Sequence, residues 1–265
     1  MKKIIIGLMI LCSTIFAGEI TVAAAANVGY VIEKLVKEFN KTNPDIKVEI
    51  VLGSSGKLVS QIEYGAFYDI FMSADMTFPK ALYDKKLAIT EPVVYAQGVL
   101  SLFSAKELDY SKNLALLKDA SISKIAVANP KTAPYGAAAV EAMKNFGIED
   151  ATKDKLVYAE SISQVVTYAT TATDVGFVAK SSLYDEKMLQ YKQNKNWIDV
   201  DQKLYTPINQ GMVIVDNTKN LVGYTRNEMK KAEIKAFYDF ILSATAKKIF
   251  QDYGYIVKWV NLLQQ

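Results

Sequence analysis

Two serines lie between two glycines in the stretch Gly53-Ser54-Ser55-Gly56, which follows an apolar run and precedes a helical pattern. Serine hydroxyls can donate hydrogen bonds to an oxyanion, and the flanking glycines allow backbone N–H groups to approach the same ligand. Serine is also a preferred N-cap residue, whose side chain accepts a hydrogen bond from the first turn of a helix. The stretch therefore predicts either a helix cap or an anion-binding loop.

Ser54 and Lys57 also have the S-x-x-K spacing of penicillin-recognising acyl-enzymes, in which the serine is the nucleophile and the lysine its base. However, no S-D-N follows, and the nearest match to K-T-G is Lys131-Thr132-Ala133. We keep a serine acyl-enzyme as a remote alternative and expect a protein without enzymatic activity.

The residue types that are missing limit the possible functions. The chain has no histidine, a single cysteine at Cys12 and a single arginine at Arg226. These counts exclude histidine-based acid/base chemistry, histidine-ligated metals and a disulfide within the chain. A net charge of +3 gives no strongly basic face, so we expect no nucleic-acid partner. Because guanidinium groups are almost absent, we expect a bound anion to be held by neutral donors.

The N-terminus is typical of a secretory signal. A basic start is followed by an apolar run over residues 4–10 and by a cleavage site after Ala17. The leucine before Cys12 is too bulky for the usual lipoprotein processing site. We therefore predict a signal peptide of residues 1–17, its cleavage, and a periplasmic mature protein.

Four strand–loop–helix units must position the loops. Alternating apolar residues predict each strand, and apolar residues at a spacing of three or four predict the helix after it. The loops are AAANVG (24–29), GSSG (53–56), APYG (133–136) and AESIS (159–163). Strands that alternate with helices favour an α/β fold with mostly parallel sheets.

Two β-prone runs, residues 91–105 and 204–216, separate these units into two halves. We predict two lobes with a cleft between them, each a mostly parallel sheet flanked by helices, joined by two crossover strands. The predicted limits are residues 18–98 with 210–265 for the first lobe and 99–209 for the second.

The four loops follow strands at the end where open α/β sheets bind ligands. Helix N-termini carry unpaired N–H groups and a partial positive charge, so four of them match a dianion. Phosphate near neutral pH keeps a proton and needs an acceptor, whereas a fully deprotonated tetrahedral dianion needs donors only. Loops rich in serine, asparagine and glycine favour the second kind of ligand.

Individual loop residues have more than one possible role. Asn27 can cap the following helix or donate its NH₂ group to a ligand. Tyr135 can serve turn formation after proline, or it can donate through its hydroxyl or its backbone N–H. For Ile162 only the backbone N–H can take part, because the side chain is apolar. Glu160 would repel an anion, so we expect it to be solvated.

Several stretches resemble the periplasmic molybdate-binding proteins of ABC transporters. In chain order they are ITVAAAANV, LGSSGKLVSQIEYGAFYDIFMSAD, PYGAAAVEAM, VGFVAKSSL and IKAFYDFILSATAKKIFQDYGY. The resemblance implies the two-lobed type II fold of periplasmic substrate-binding proteins. It also implies closure on molybdate or tungstate, no cofactor, no direct protein–molybdenum bond and delivery of the anion to a membrane permease. We expect a monomer.

Carried over position by position, the resemblance assigns the oxyanion to five residues: Ala26, Asn27, Ser55, Tyr135 and Ile162. Many members of the family have a tyrosine whose hydroxyl reaches the anion from the position of Ala179. This chain departs from that pattern, and we expect the hydroxyl of Tyr135 to replace it.

Other ligands of the same fold stay open as alternatives. Sulfate or phosphate is the first of them. Iron sites of this fold usually use tyrosine clusters, and Tyr253 with Tyr255 is the only close pair. Polyamine sites need carboxylates and aromatic side chains, which the four loops lack. Molybdate is therefore the preferred prediction.

Overall fold

The computed structural model describes residues 18–217 and 228–257. The predicted signal peptide of residues 1–17, including Cys12, lies outside this part of the chain, as does Arg226. None of the helices in the described residues is long and apolar enough to cross a membrane.

The strands of the described residues form two five-stranded sheets. The first sheet contains β1 (Gly18–Ala25), β2 (Ile46–Gly53), β3 (Ile70–Met72), β4 (Val93–Gly98) and β10 (Ile208–Ile214). The second contains β5 (Leu100–Phe103), β6 (Ile125–Ala128), β7 (Leu156–Ala159), β8 (Val175–Ala179) and β9 (Trp197–Asp199). The spatial orders are β2-β1-β3-β10-β4 and β7-β6-β8-β5-β9.

Helices pack on these sheets. They are α1 (Gly29–Phe39), α2 (Ser55–Glu63), α3 (Thr77–Asp84), α4 (Pro134–Asn145), α5 (Glu149–Thr152), α6 (Ile162–Thr171), α7 (Glu228–Leu242) and α8 (Ala244–Asp252). In α1, Val31, Ile32, Leu35 and Phe39 are buried, which is the face that their spacing of three or four residues predicts. The sequence pattern and the packing therefore agree in this helix.

Both sheets are mixed rather than mostly parallel. β1 is parallel to β2 and β3, whereas β10 is antiparallel to β3 and β4. β6 is likewise parallel to β7 and β8, whereas β5 is antiparallel to β8 and β9. The antiparallel pairings come from strands next to the two crossovers, which enter each sheet without the helical connection that a parallel neighbour needs. The predicted two-sheet α/β architecture is confirmed, with this correction.

The chain passes between the sheets twice. Val99 alone separates β4 from β5, and residues 200–207 lead from β9 back to β10. Because β4 and β10 are hydrogen-bonded neighbours, the two connections leave the first sheet side by side. Paired crossover segments of this kind permit hinge motion of one lobe against the other.

The C-terminal helices close the core of the first lobe. These helices bury an apolar stripe at helical spacing: Phe237, Ile241, Ile249 and Phe250 are each at most 8% exposed. The ring of Phe39 meets that of Phe237 edge-to-face, with centroids 5.1 Å apart. This packing links the first helix of the chain to the last ones.

In the second lobe, Gly136 allows α4 to approach β6 closely. A Cβ atom at this position would lie 2.0 Å from the carbonyl oxygen of Ala128. Only glycine permits this contact without a shift of the helix or the strand.

We therefore expect Gly136→Ala to lower the free energy of unfolding by about 1–3 kcal/mol through overpacking. Urea unfolding measures this loss. Ala137→Ser, at the neighbouring exposed position, is the matched control and should change stability by no more than ~0.5 kcal/mol. Equal stability of Gly136→Ala and the unchanged protein would contradict the close packing.

Candidate functional site

Helix N-termini from both sheets begin at the carboxyl ends of parallel strands. In the first lobe, β1 leads through a 3-10 turn at Ala26–Val28 into α1, and β2 leads into α2. In the second lobe, β6 is followed by α4 and β7 by α6. The first N–H groups of a helix have no partner within that helix, so each of the four loops supplies hydrogen-bond donors.

Hydrogen bonds connect the loops of the first lobe to the second lobe. The backbone N–H of Gly56 donates to the carbonyl oxygen of Thr132 over 2.9 Å. The hydroxyl of Ser181 donates to the carbonyl oxygen of Asn27 over 3.1 Å. The lobes are thus in direct contact at the place where the sequence predicts the site.

The two serines have different surroundings. Ser54 is the N-cap residue of α2, but its side chain makes no capping bond, and its buried Oγ has no hydrogen-bond partner. Ser55, 1% exposed, accepts a hydrogen bond at Oγ from the backbone N–H of Ala74 over 3.0 Å. The helix-cap alternative is therefore wrong for both side chains. Since the bond from Ala74 uses only an oxygen lone pair, the Ser55 hydroxyl keeps its proton for another acceptor.

Asn27 is completely buried and does not cap a helix. Its Nδ2 donates to Oε1 of Gln210 and to the hydroxyl of Tyr255, each over 3.0 Å. Its Oδ1 is buried without a partner. Ala26, beside it, is 5% exposed. The side chain of Asn27 thus belongs to a polar network rather than to the helix start, and the capping alternative is wrong here too.

Tyr135 lies in the first turn of α4, and its side chain is 1% exposed. Its hydroxyl accepts a hydrogen bond from Nε2 of Gln210 over 3.1 Å. Burial, together with the nearby Tyr255 and Tyr95, raises the pKa of Tyr135 well above its ordinary value. The hydroxyl therefore keeps its proton at neutral pH and has it available for a further acceptor.

Ile162 is the first residue of α6, so its backbone N–H has no partner within the helix. Ser161 caps this helix by accepting a hydrogen bond from the backbone N–H of Gln164 over 3.3 Å. The side chain of Ile162 is buried in the same apolar cluster as Ala26 and Tyr135. That cluster contains residues of both lobes.

Ala179, at the position where the resemblance places a tyrosine in many family members, supplies no hydroxyl. Ala179 ends β8, is completely buried and pairs with Leu100 of β5. The hydroxyl of Ser182, three residues further along the chain, donates to the carbonyl oxygen of Ala179 over 2.7 Å. This hydroxyl is therefore already used within the second lobe.

Lys57 and Glu160 form an ion pair between the lobes. Both side chains are more than half exposed, so the pair contributes little to stability. Glu160 is exposed, as predicted. The ammonium of Lys57 contacts this carboxylate, whereas the Oγ of Ser54 has no partner. A serine–lysine pair for acyl transfer is therefore not assembled.

Neutral groups supply the observed contacts of the site side chains. In the described residues, Asn27, Ser55 and Tyr135 are bonded to amide and hydroxyl groups and to backbone atoms. No group of three or more acidic, histidine or cysteine side chains in the same residues could hold a metal ion. The arrangement suits an anion that accepts hydrogen bonds.

Sequence reasoning missed three residues of this network. Gln210 lies on β10 and is completely buried, Tyr95 lies on β4, and Tyr255 follows α8. The hydroxyl of Tyr95 donates to Oε1 of Gln210 over 2.8 Å. One signal was available, because Gln210 interrupts an apolar β-run. Tyr255 was noted only as part of a pair with Tyr253.

The chain matches the family model described as bacterial extracellular solute-binding protein over residues 20–256. The protein is therefore of the class that captures solutes outside the cytoplasm between two lobes. The sulfate-binding protein SubI from Mycobacterium tuberculosis has the same fold, with a TM-score of 0.69 at 12% identity over 90% of this chain and 86% of SubI.

Proteins of higher sequence identity identify the family within this class. The molybdate-binding protein ModA of Azotobacter vinelandii is 34% identical over 241 residues, 90% of each chain. ModA of Rhodobacter capsulatus is 33% identical over 244 residues, 91% of this chain and 90% of ModA. The structure of the Azotobacter vinelandii periplasmic molybdate-binding protein matches with a TM-score of 0.80 at 28% identity, over 91% of this chain and 100% of that one.

The chain therefore belongs to the ModA family of bacterial extracellular solute-binding proteins. The predicted family and type II fold are confirmed. Members of this family bind solutes and are not enzymes, so the expectation of no enzymatic activity is confirmed by the membership.

Ser54 and Ser55 form a matched pair for a stability test. We expect Ser55→Ala to lower the free energy of unfolding by about 1–3 kcal/mol, because it leaves the buried N–H of Ala74 without a partner. Ser54→Ala removes a hydroxyl that has no partner, so stability should stay the same or rise slightly. Urea unfolding of the unliganded variants measures both effects. A larger loss for Ser54→Ala than for Ser55→Ala would contradict the assigned contacts.

Proposed function

We propose that the protein captures molybdate, and tungstate as well, in the cleft between its lobes and delivers the anion to an ABC importer. The observation that carries the proposal is the hydrogen bonding between helix starts of the two lobes, from Asn27 through Gln210 to Tyr135 and directly from Gly56 to Thr132. The similarity to ModA proteins supports the same ligand. The proposed ligand-binding residues are those of the sequence prediction: Ala26, Asn27, Ser55, Tyr135 and Ile162.

Each proposed residue has a donor to offer. Ser55 and Tyr135 have hydroxyl protons that their observed bonds leave unused. Ala26, Asn27 and Ile162 lie in first turns, where backbone N–H groups lack helical partners. A tetrahedral dianion has acceptors on every side, so donors from four directions can satisfy it. The anion binds through oxygen alone, with no protein atom bonded to the metal.

Discrimination against sulfate follows from size. Sulfate and molybdate have the same charge and shape, so donors placed for the larger anion would be too far from the oxygens of the smaller one. Phosphate carries a proton near neutral pH and needs an acceptor for it. The donor-only character of the site therefore favours molybdate and tungstate over both.

Closure is the proposed mechanism of capture. The proposed lobes are residues 18–98 with 210–265 and residues 99–209, and they rotate about the paired crossovers β4–β5 and β9–β10. The bond between Gly56 and Thr132 and the ion pair of Lys57 with Glu160 form only when the lobes meet. The signal peptide directs export of the protein. The closed monomer is then the form that binds the permease at the outer face of the cytoplasmic membrane.

Thermal unfolding in the presence of different anions tests the proposed ligand. A ligand present at 1,000 times its dissociation constant stabilises the folded state by about 4 kcal/mol, which raises the melting temperature by several degrees. We expect such shifts with molybdate and tungstate and little shift with sulfate or phosphate. Equal shifts with all four anions, or no shift with any, would remove the assignment.

A further inference from the structure

Gln210 lies at the junction of both lobes. It belongs to β10, the strand in which the second crossover ends, and a β-bulge between Gln210 and Gly211 shifts the register against β4. Bulges of this kind redirect a side chain. The side chain of Gln210 is completely buried, so its polar atoms need partners.

Those partners include proposed ligand-binding residues of both lobes. Oε1 of Gln210 accepts hydrogen bonds from Nδ2 of Asn27 over 3.0 Å and from the hydroxyl of Tyr95 over 2.8 Å. Nε2 donates to the hydroxyl of Tyr135 over 3.1 Å. One amide group therefore bonds to Asn27 of the first lobe and to Tyr135 of the second.

We infer that Gln210 is a positioning residue of the oxyanion site, whose amide sets the direction in which Asn27 and Tyr135 donate their hydrogen bonds. This inference rests on the proposed function. An amide has an acceptor at one end and a donor at the other, so it imposes opposite roles on the two neighbours. In the observed arrangement, Gln210 donates to Tyr135, and the hydroxyl proton of Tyr135 is directed elsewhere.

The opposite orientation of the Asn27 and Gln210 amides also gives the two neighbours of Gln210 opposite hydrogen-bonding roles. Turning the amides of Asn27 and Gln210 by 180° keeps every heavy-atom distance. Gln210 then donates to Oδ1 of Asn27, and the NH₂ group of Asn27 takes the place where Oδ1 now has no partner. The hydroxyl of Tyr135 donates to Gln210 in this case. In either arrangement Gln210 donates to one site residue, which leaves a donor of the Asn27–Tyr135 pair free for the anion.

The backbone of β4 lies close to this pair. A Cβ atom on Gly98 of β4 would lie 2.0 Å from the hydroxyl oxygen of Tyr135 and 2.7 Å from Nε2 of Gln210. The crossover strand thus packs directly against the Gln210–Tyr135 hydrogen bond.

The titratable groups that face Gln210 are tyrosines. Tyr95 comes from β4, Tyr135 from α4, and Tyr255, through Asn27, from the segment after α8. Burial raises the pKa of Tyr95 and of Tyr135 well above the ordinary value, and it raises the pKa of Tyr255 to about 12. All three stay neutral between about pH 6 and pH 9, since each pKa lies above the ordinary tyrosine value of about 10.

Gln210→Glu tests the inference through pH. A neutral glutamic acid has one O–H donor and one carbonyl acceptor and can replace the amide, whereas its carboxylate has acceptors only. Burial raises the pKa of a carboxyl group, so the change of state falls between about pH 6 and pH 9. We expect molybdate affinity, relative to the unchanged protein at the same pH, to fall at least about tenfold from the lower to the higher pH.

Gln210→Met is the matched control, because it has similar length and no titratable or hydrogen-bonding group. Without the amide, one donor of the Asn27–Tyr135 pair is no longer directed at the anion. We therefore expect Gln210→Met to weaken molybdate binding by about 10- to 100-fold, the value of one hydrogen bond to a charged group. This factor should be the same at every pH. Isothermal titration with sodium molybdate measures all three proteins. A pH-independent ratio for Gln210→Glu would overturn the inference.

Three further outcomes are decisive. If Gln210→Glu does not fold, Gln210→Met decides, and unchanged affinity of that variant overturns the inference while a loss of at least tenfold supports it. If the unchanged protein binds no molybdate, the proposed function fails and the inference with it. Molybdate binding by the unchanged protein with no effect of either variant removes the inference alone.

Discussion

A doubly charged anion that leaves water loses the hydrogen bonds of its hydration shell, and the protein must replace them with donors. The side-chain donors of Asn27, Ser55 and Tyr135 at its cleft are N–H and O–H groups without charge. The rest of the structure depends on this constraint. A hydrogen-bond acceptor directed at the anion would lower the binding affinity in two ways, because it would stay unpaired and would repel the ligand. The direction of each hydrogen bond is therefore as important as its length.

The fold supplies such donors by placing helix N-termini at the carboxyl ends of its parallel strands. Parallel strands end at the same edge of a sheet, so β1 with β2 and β6 with β7 bring two helix starts together in each lobe. In the proposed closure, the pair of helix starts in one lobe meets the pair in the other. The antiparallel strands next to the crossovers serve another purpose, because they connect the lobes and bring Gln210 and Gly98 next to the hydroxyl of Tyr135.

The positions of the four loops and of the core could be predicted from local sequence patterns. Strand alternation, helical spacing and the glycines of the Gly53–Gly56 loop locate the four loops, and the stripe around Phe237 and Ile241 locates the core. The direction of β5, β9 and β10 could not be predicted, because it depends on pairing between distant segments. The roles of Gln210 and Tyr255 depend on contacts 183 and 228 residues away from Asn27, which no local pattern encodes. The difference between Ser54 and Ser55 also depends on a distant residue, Ala74.

Diffraction from crystals grown with molybdate, measured at the molybdenum absorption edge, tests the central claim most directly. One strong anomalous peak should lie between the lobes, with oxygens about 2.7–3.1 Å from N–H or O–H groups of Asn27, Ser55, Tyr135 and Ile162. A peak at any other place, or a lysine ammonium as the main partner of the anion, would contradict the account.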